Sequence, residues 1–165
     1  HRFLIEAAPA ILALHPDTCF LFLGEGEEEE RLKSMVAEAG LEQHFTFAGY
    51  RENVGEILTV IDILLHPATM EGFANVAMQA LAAAKPVVSS AVGGMPEIVL
   101  DGETGILVPP QNPAAIVDAL DKLLSDSSLR DKLGRKGQQR VKEKFSVENM
   151  VANTLAVYEK ILAEN

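Results

Sequence analysis

Basic residues are scarce in this sequence. Its 165 residues include 14 lysines and arginines against 24 aspartates and glutamates, which gives a formal net charge of −10. An acidic chain without a basic stripe does not suit nucleic acid or an anionic membrane surface as its main partner. A phosphorylated ligand stays compatible with the sequence, because helix N-termini and a few local cations can hold a phosphate despite the global charge.

Cysteine is nearly absent, and the histidines are few. The single cysteine, Cys19, excludes an intramolecular disulfide. It lies in the apolar run 19–23, so we expect a core residue rather than a reactive thiol. The four histidines are scattered along the chain, and we predict no metal site.

Long apolar runs are also missing. No segment is long enough to cross a bilayer, and there is no signal-peptide pattern, so we expect a cytoplasmic setting. The length suits one domain with a core of its own.

Short apolar runs alternate with amphipathic helical patterns. We predict strands at 19–23, 45–49 (with a turn), 61–65, 86–90 and 106–108. The helical patterns begin near Phe3, Glu27, Val54, Phe73, Pro96, Pro113, Leu129 and Val147. This alternation predicts an α/β fold: a mostly parallel sheet covered by helices on both faces, with a ligand crevice at the carboxyl ends of the strands.

The most informative stretch runs from residue 66 to residue 96. Glu71 and Gly72 lie in the loop after a strand, just before a helix that Lys85-Pro86 ends. A carboxylate, the unpaired N–H groups of the helix start and the amide of Gln79 can then line one cleft, which suits a ligand with phosphates and sugar hydroxyls. The alternative is that Glu71 caps the helix and Gln79 is a solvated helix residue.

Three motifs resemble the donor-binding half of the GT-B glycosyltransferases, in the large retaining class numbered family four. They are Glu71-Gly72-Phe73, the segment 82–88 (AAAKPVV) and Gly93-Gly94-Met95-Pro96-Glu97. The segment 101–109 and the C-terminal helices also resemble the family, so the resemblance covers nearly the whole chain. It implies a Rossmann-like three-layer α/β domain, the C-terminal half of a GT-B fold.

The sequence departs from the family signature at two positions. Gln79 replaces a second glutamate, and Ala84 stands where glycine is usual. Some bacterial members of the resembled family, linked to surface polysaccharides, carry Gln at the position of Gln79. We therefore do not interpret Gln79 as a sign of inactivity. An amide can still donate to and accept from ribose hydroxyls, with less charge-assisted strength.

The resemblance implies transfer of a sugar from a nucleoside-diphosphate sugar, with retained anomeric configuration and without a metal or other cofactor. Glu71 would be the catalytic-site carboxylate that bonds the donor-sugar hydroxyls. The other donor-binding residues implied are Gly24, Gly26, Tyr50, Arg51, His66, Gly72, Phe73, Ala74, Asn75, Val76 and Gln79.

Several of these residues have a second interpretation from sequence alone. The Gly24-Glu25-Gly26 loop, which faces the diphosphate in the resembled family, is also an ordinary tight turn. Tyr50 either stacks on a nucleobase or covers the domain edge, and Arg51 either meets a phosphate or is a solvated surface residue. His66 is either a ligand contact or a buried, hydrogen-bonded side chain.

The resemblance places residues 1–165 in a partial donor domain that lacks the N-terminal acceptor domain. We expect the chain alone to be inactive. The other domain would bind the acceptor, a sugar, lipid or polysaccharide, and the parent would sit at the inner face of the cell membrane. The alternative function is a catalytically degenerate donor-like domain that serves as a binding or assembly module. A sugar-nucleotide epimerase would need a different acid–base set, which the sequence does not show.

Two surfaces are expected to lack partners. In the resembled domain a strand precedes the first helix and lies mid-sheet in the order 3-2-1-4-5-6, between the strands at 19–23 and 61–65. Either those strands pair directly or another segment fills the slot, and we favour filling because packed helices resist a shift of about 4.8 Å. We also expect the helix Val147–Ala163 to expose its apolar stripe near 158–162 or pack it on another molecule. Both surfaces are candidates for self-association.

Overall fold

In residues 1–164, which the computed structural model describes, eight α-helices alternate with five short strands. The helices are α1 (Arg2–Leu14), α2 (Glu29–Glu38), α3 (Val54–Val60), α4 (Asn75–Ala82), α5 (Met95–Ile98), α6 (Pro113–Ser125), α7 (Ser127–Lys144) and α8 (Val147–Ala163). The strands are β1 (Phe20–Phe22), β2 (Phe45–Phe47), β3 (Leu64–His66), β4 (Val87–Ser90) and β5 (Gly105–Val108).

All strand pairs among the described residues are parallel. β1 pairs with β2, and β3, β4 and β5 form a second sheet in that order. Parallel strands joined by helices confirm the predicted α/β class.

Helices cover both faces of the larger sheet. Successive residues of a strand point to opposite faces, and Val88 packs with Ile11 and Leu120 while Val87 packs with Leu81 and Met95. One face therefore carries α1 and α6, and the other carries α4 and α5. This three-layer arrangement is the predicted Rossmann-like one.

The two sheets stay apart. β1 and β3, the strands expected to flank a central strand, do not pair, and a cavity of about 790 Å³ lies between them. Of the two alternatives, direct pairing of these strands, the one not favoured, is therefore wrong. Filling of the slot by another segment stays a prediction.

Cys19 is exposed, so the prediction of a core position is wrong. The strand begins one residue later, at Phe20, and Cys19 lines the cavity between the sheets rather than the packed interior. Its Sγ lies 3.9 Å from the carbonyl oxygen of Asp17.

The C-terminal helix confirms the predicted exposed stripe. None of the residues of α8 is buried, and Tyr158 and Leu162 are 60% and 76% exposed. Ser146 caps this helix by accepting a hydrogen bond from the N–H of Asn149. Across residues 1–164, the helices lack the combination of length and apolarity that a bilayer span requires.

Candidate functional site

The loop between β3 and α4 holds the predicted carboxylate. β3 ends at His66, and residues 67–74 lead across the carboxyl edge of the sheet into α4. This is the edge at which open parallel sheets bind ligands.

Both carboxylate oxygens of Glu71 have partners. Oε2 lies 2.9 Å from Nε2 of His66, and Oε1 accepts a hydrogen bond of 3.0 Å from the N–H of Gly72. The side chain of Glu71 is 27% exposed. An ionised carboxylate offers about four acceptor positions, so two remain for the hydroxyls of a ligand.

His66 is held at the end of its strand. It is paired in register with Ser89 of β4, and Ser89 Oγ donates to the His66 carbonyl oxygen at 3.2 Å. Its imidazole is 22% exposed. The imidazole is thus partly buried and hydrogen-bonded to Glu71, and a contact between His66 and a ligand stays a prediction.

A glycine pair supports this loop from behind. The N–H of Gly94 donates to the Gly72 carbonyl oxygen at 2.8 Å. A Cβ at Gly93 would lie 1.6 Å from the Glu71 carbonyl oxygen, and Gly93 has a positive φ of 52°. The motif Gly93-Gly94-Met95-Pro96-Glu97 does not reveal this contact by itself. The role of the two glycines is to let the two loops approach each other.

The N-terminus of α4 is open. Ala74 precedes the helix and no side chain caps it. The N–H groups of Ala77 and Met78 bond the Ala74 carbonyl oxygen at 3.1 and 3.4 Å, so the helix start offers a ligand the N–H groups of Asn75 and Val76. Glu71 bonds the N–H of Gly72, which lies before the helix, so the alternative that Glu71 caps α4 is wrong. Asn75 is exposed and Val76 is half-buried at this terminus.

Two predicted residues near α4 have different surroundings. Phe73 packs against Phe145 after α7, with ring centroids 5.9 Å apart, so its ring supports the loop. Gln79 is exposed one turn into α4. The backbone of Phe73 stays close to Glu71.

The loops after β1 and β2 form a separate group of predicted residues. The N–H of Gly24 donates to the Gly49 carbonyl oxygen at 2.9 Å, and Glu25 Oε1 lies 3.4 Å from the N–H of Tyr50. Tyr50 is 68% exposed. Gly26 and Arg51 are exposed nearby, and the cavity between the sheets separates this group from Glu71.

A second, smaller cleft lies beside the Glu71 loop. It has a volume of about 390 Å³ and is lined by the first turns of α1 and α2 and by residues 67–70 of the Glu71 loop. Arg2 and Arg31 contribute cations to it, and Arg31 bonds Glu28 at 2.6 Å. The sequence does not predict either arginine as a site residue, because nothing in their local pattern distinguishes them from solvated helix residues. Among residues 1–164, no group of three or more His, Cys, Asp or Glu side chains could hold a metal ion.

Known proteins resemble the chain over nearly its full length. A family model described as glycosyl transferases group 1 matches residues 1–140. A glycosyltransferase from Methanocaldococcus jannaschii, named as uncharacterized, is 32% identical over 95% of the chain and 40% of its own length. The chain spans well under half the length of this relative.

Solved structures share the fold. Sucrose-phosphate synthase from Thermosynechococcus elongatus matches with a TM-score of 0.86 and 31% identity, over 99% of this chain and 43% of that one. An Anabaena protein solved in complex with UDP-glucose matches with a TM-score of 0.83 and 24% identity, over 95% and 45%.

Proposed function

The chain belongs to the glycosyl transferases group 1 family, and from this premise we propose that it is the donor-binding part of a longer glycosyltransferase that uses a nucleoside-diphosphate sugar. One observation carries the proposal: the Glu71 carboxylate is fixed at the end of β3, beside the uncapped N-terminus of α4. A hydroxyl-binding acceptor thus stands next to a phosphate-binding helix end. A sugar phosphate ester presents hydroxyls and a phosphate together, and so matches both features.

In the proposed reaction the bond between the anomeric carbon and the diphosphate oxygen breaks, and a bond to the acceptor hydroxyl oxygen forms on the same face. The acceptor hydroxyl gives its proton to the departing diphosphate oxygen. The departing diphosphate gains negative charge. The N–H groups and positive dipole end of α4 stabilise that charge, and Arg2 in the neighbouring cleft adds a cation, whereas Arg31 there is paired with Glu28. With these donors the departure needs no metal ion, which fits the proposed retaining, metal-independent class.

In this proposal, different predicted residues bind different parts of the donor. Glu71 accepts hydrogen bonds from the sugar hydroxyls, and Gln79 binds the ribose. The loops that contain Gly24, Gly26, Tyr50 and Arg51 face the diphosphate and the base. The Anabaena neighbour, solved with UDP-glucose, makes uridine diphosphate sugars the first donors to try.

The acceptor belongs to the remainder of the parent protein in this proposal. A sugar, lipid or polysaccharide would bind there, at the cytoplasmic face of the cell membrane, for surface polysaccharide synthesis. The chain alone would not transfer sugar, because it lacks the acceptor site.

Calorimetric titration of the intact parent with uridine, guanosine and adenosine diphosphate sugars tests this function. We expect one of these donors to bind, and Glu71→Gln to weaken its binding. Glu97→Gln, an exposed acid in the first turn of α5, is the matched control and should leave the affinity unchanged. A folded parent that binds none of the donors contradicts the proposal.

Gln79 motivates a second candidate, a donor-like module without catalysis. It stands on the exposed side of α4 in place of the family's second glutamate. The variant Gln79→Glu distinguishes the non-catalytic module from the enzyme. A rise from no transfer to measurable transfer supports the non-catalytic module, whereas transfer by the unaltered parent supports the enzyme.

A further inference from the structure

The side chain of His66 reaches the one carboxylate of the site from a rigid element. Its backbone is fixed by pairing in β3 and by Ser89 Oγ, and its Nε2 lies 2.9 Å from Glu71 Oε2. Glu71 itself stands in a loop whose neighbours are open to solvent, since Met70 is 88% exposed and Gly72 is exposed. His66 therefore links the side chain of Glu71, which lies in a loop, to the sheet.

The direction of this hydrogen bond follows from the chemistry of the two groups. An ionised carboxylate can only accept hydrogen bonds, so Nε2 of His66 carries the hydrogen. This contact engages Oε2 and leaves Oε1 on the N–H of Gly72, which fixes the plane of the carboxylate. The lone pairs of the Glu71 carboxylate that remain free to accept hydrogen bonds then point in a defined direction.

We propose that His66 is a positioning residue for sugar transfer, which holds the Glu71 carboxylate in the orientation that binds the donor-sugar hydroxyls. The inference rests on the proposed function of Glu71. Misplacing a substrate-binding group by about 1 Å can lower a rate about 100-fold. His66 acts through Glu71, because its Nε2 is already engaged and its ring is largely covered.

The positioning role differs measurably from a role in stability. A partly exposed hydrogen bond between side chains contributes little to folding, and the backbone contacts of His66 do not depend on its ring. Loss of the imidazole should therefore change turnover far more than unfolding. A merely structural histidine would change both together.

A double-mutant cycle in the full-length parent tests the proposal. The variants are His66→Phe, which keeps a ring without a donor, Glu71→Ala and the combination. We expect His66→Phe to lower kcat by about tenfold or more with a small shift in the unfolding temperature, and to cause no further loss in the Glu71→Ala background. His66→Gln, which keeps an N–H donor, should restore at least part of the lost turnover.

The control is His44→Phe. His44 is another partly buried histidine, bonded to the Thr18 carbonyl oxygen at 3.0 Å, and it lies outside the site. Its kcat should equal that of the unaltered parent. A second readout is the ¹⁵N spectrum of the imidazole, in which the Nε2–H form of His66 should give way to a mixture of tautomers in Glu71→Ala.

Three results would overturn the inference. Equal losses from His66→Phe with and without Glu71 would show that the histidine acts independently. Parallel losses of kcat and stability, without rescue by His66→Gln, would show a structural role. If the unaltered parent binds no nucleotide sugar, the proposed function itself fails, whereas an active parent with an additive cycle removes only the positioning role.

Discussion

At Glu71, the size of the side chain and its charge can be tested separately. Glu71→Gln keeps the size and removes the charge that strengthens hydrogen bonds from sugar hydroxyls. We expect transfer by the parent to fall by roughly one to three orders of magnitude, at about 1.4 kcal/mol per tenfold. Steady-state kinetics beside thermal unfolding measure this. Unaltered transfer, or a loss of stability that accounts for the lost activity, would leave Glu71 without a ligand role.

Gly93 provides a second test at the scale of one residue. A methyl group there would meet the Glu71 carbonyl oxygen at 1.6 Å, on a residue whose φ is +52°. We expect Gly93→Ala to lower the free energy of unfolding by about 1–3 kcal/mol and to weaken donor binding, because the Glu71 loop must move. Urea unfolding and calorimetry give the two values.

Gly55→Ala is the matched control for Gly93. Gly55 lies within α3, and a Cβ there would meet nothing within 4 Å. The control should be neutral or stabilise the protein by up to about 1 kcal/mol, through helix propensity. Equal effects at the two glycines would disprove the close approach of the two loops.

The positions of the site residues along the strands and loops could be predicted from the sequence, but their contacts with one another could not. The sequence placed Glu71 in the loop after a strand and His66 at the strand end, because strand and loop patterns are local. It left the role of His66 open, since the pairing with Glu71 depends on how residues 67–72 turn back. The role of Gly93 was equally hidden, because its neighbour is 22 residues away in the chain.

At the scale of elements, the end of α4 explains why glycine is usual at position 84. Ala84 has a φ of +57°, and the next N–H, that of Lys85, bonds the Ala80 carbonyl oxygen at 2.9 Å. This is the left-handed helix ending that glycine adopts without a steric penalty. Alanine brings its Cβ close to the following carbonyl oxygen.

We therefore expect Ala84→Gly to raise the free energy of unfolding by about 1 kcal/mol. Ala82→Gly, two residues earlier at the last residue of the helix, is the control and should lower it, by up to about 0.5–1 kcal/mol. Denaturant unfolding of both variants gives the signs. A destabilised Ala84→Gly would show that position 84 does not adopt the left-handed conformation.

Element boundaries followed the sequence where the signal was local. The helix Val147–Ala163 has the predicted bounds, because Ser146 caps it. Predicted and observed bounds differ at β3, which was placed at 61–65 and lies at Leu64–His66. α4 was expected to begin at Phe73, but Phe73 packs on Phe145 and the helix begins two residues later.

At the scale of the whole molecule, α8 lies outside the two hydrophobic cores. Leu155 on α8 is 53% exposed, whereas Leu123 of α6 is fully buried. We expect Leu155→Ala to change the free energy of unfolding of this chain by no more than about 0.5 kcal/mol. Leu123→Ala should cost about 2–5 kcal/mol. Similar costs for the two would mean that α8 packs on the core in solution.

Arrangements that depend on distant segments could not be predicted in detail. The parallel direction of the strands followed from their alternation with helices, whereas the strand order and the separation of β1 from β3 followed from the resemblance. The width of the slot and the cleft containing Arg2 and Arg31 depend on how α1, α2 and the loop 67–70 come together. No periodicity in one segment contains that information.

The central claim is that Glu71 binds the sugar of a nucleotide-sugar donor. Calorimetry can compare the affinities of the unaltered parent and Glu71→Gln for the donor and for its nucleoside diphosphate alone. We predict that the variant binds the donor about tenfold or more weakly, as expected for a lost charge-assisted hydrogen bond, and binds the diphosphate unchanged. Equal weakening of both ligands, or no weakening of either, would contradict the account.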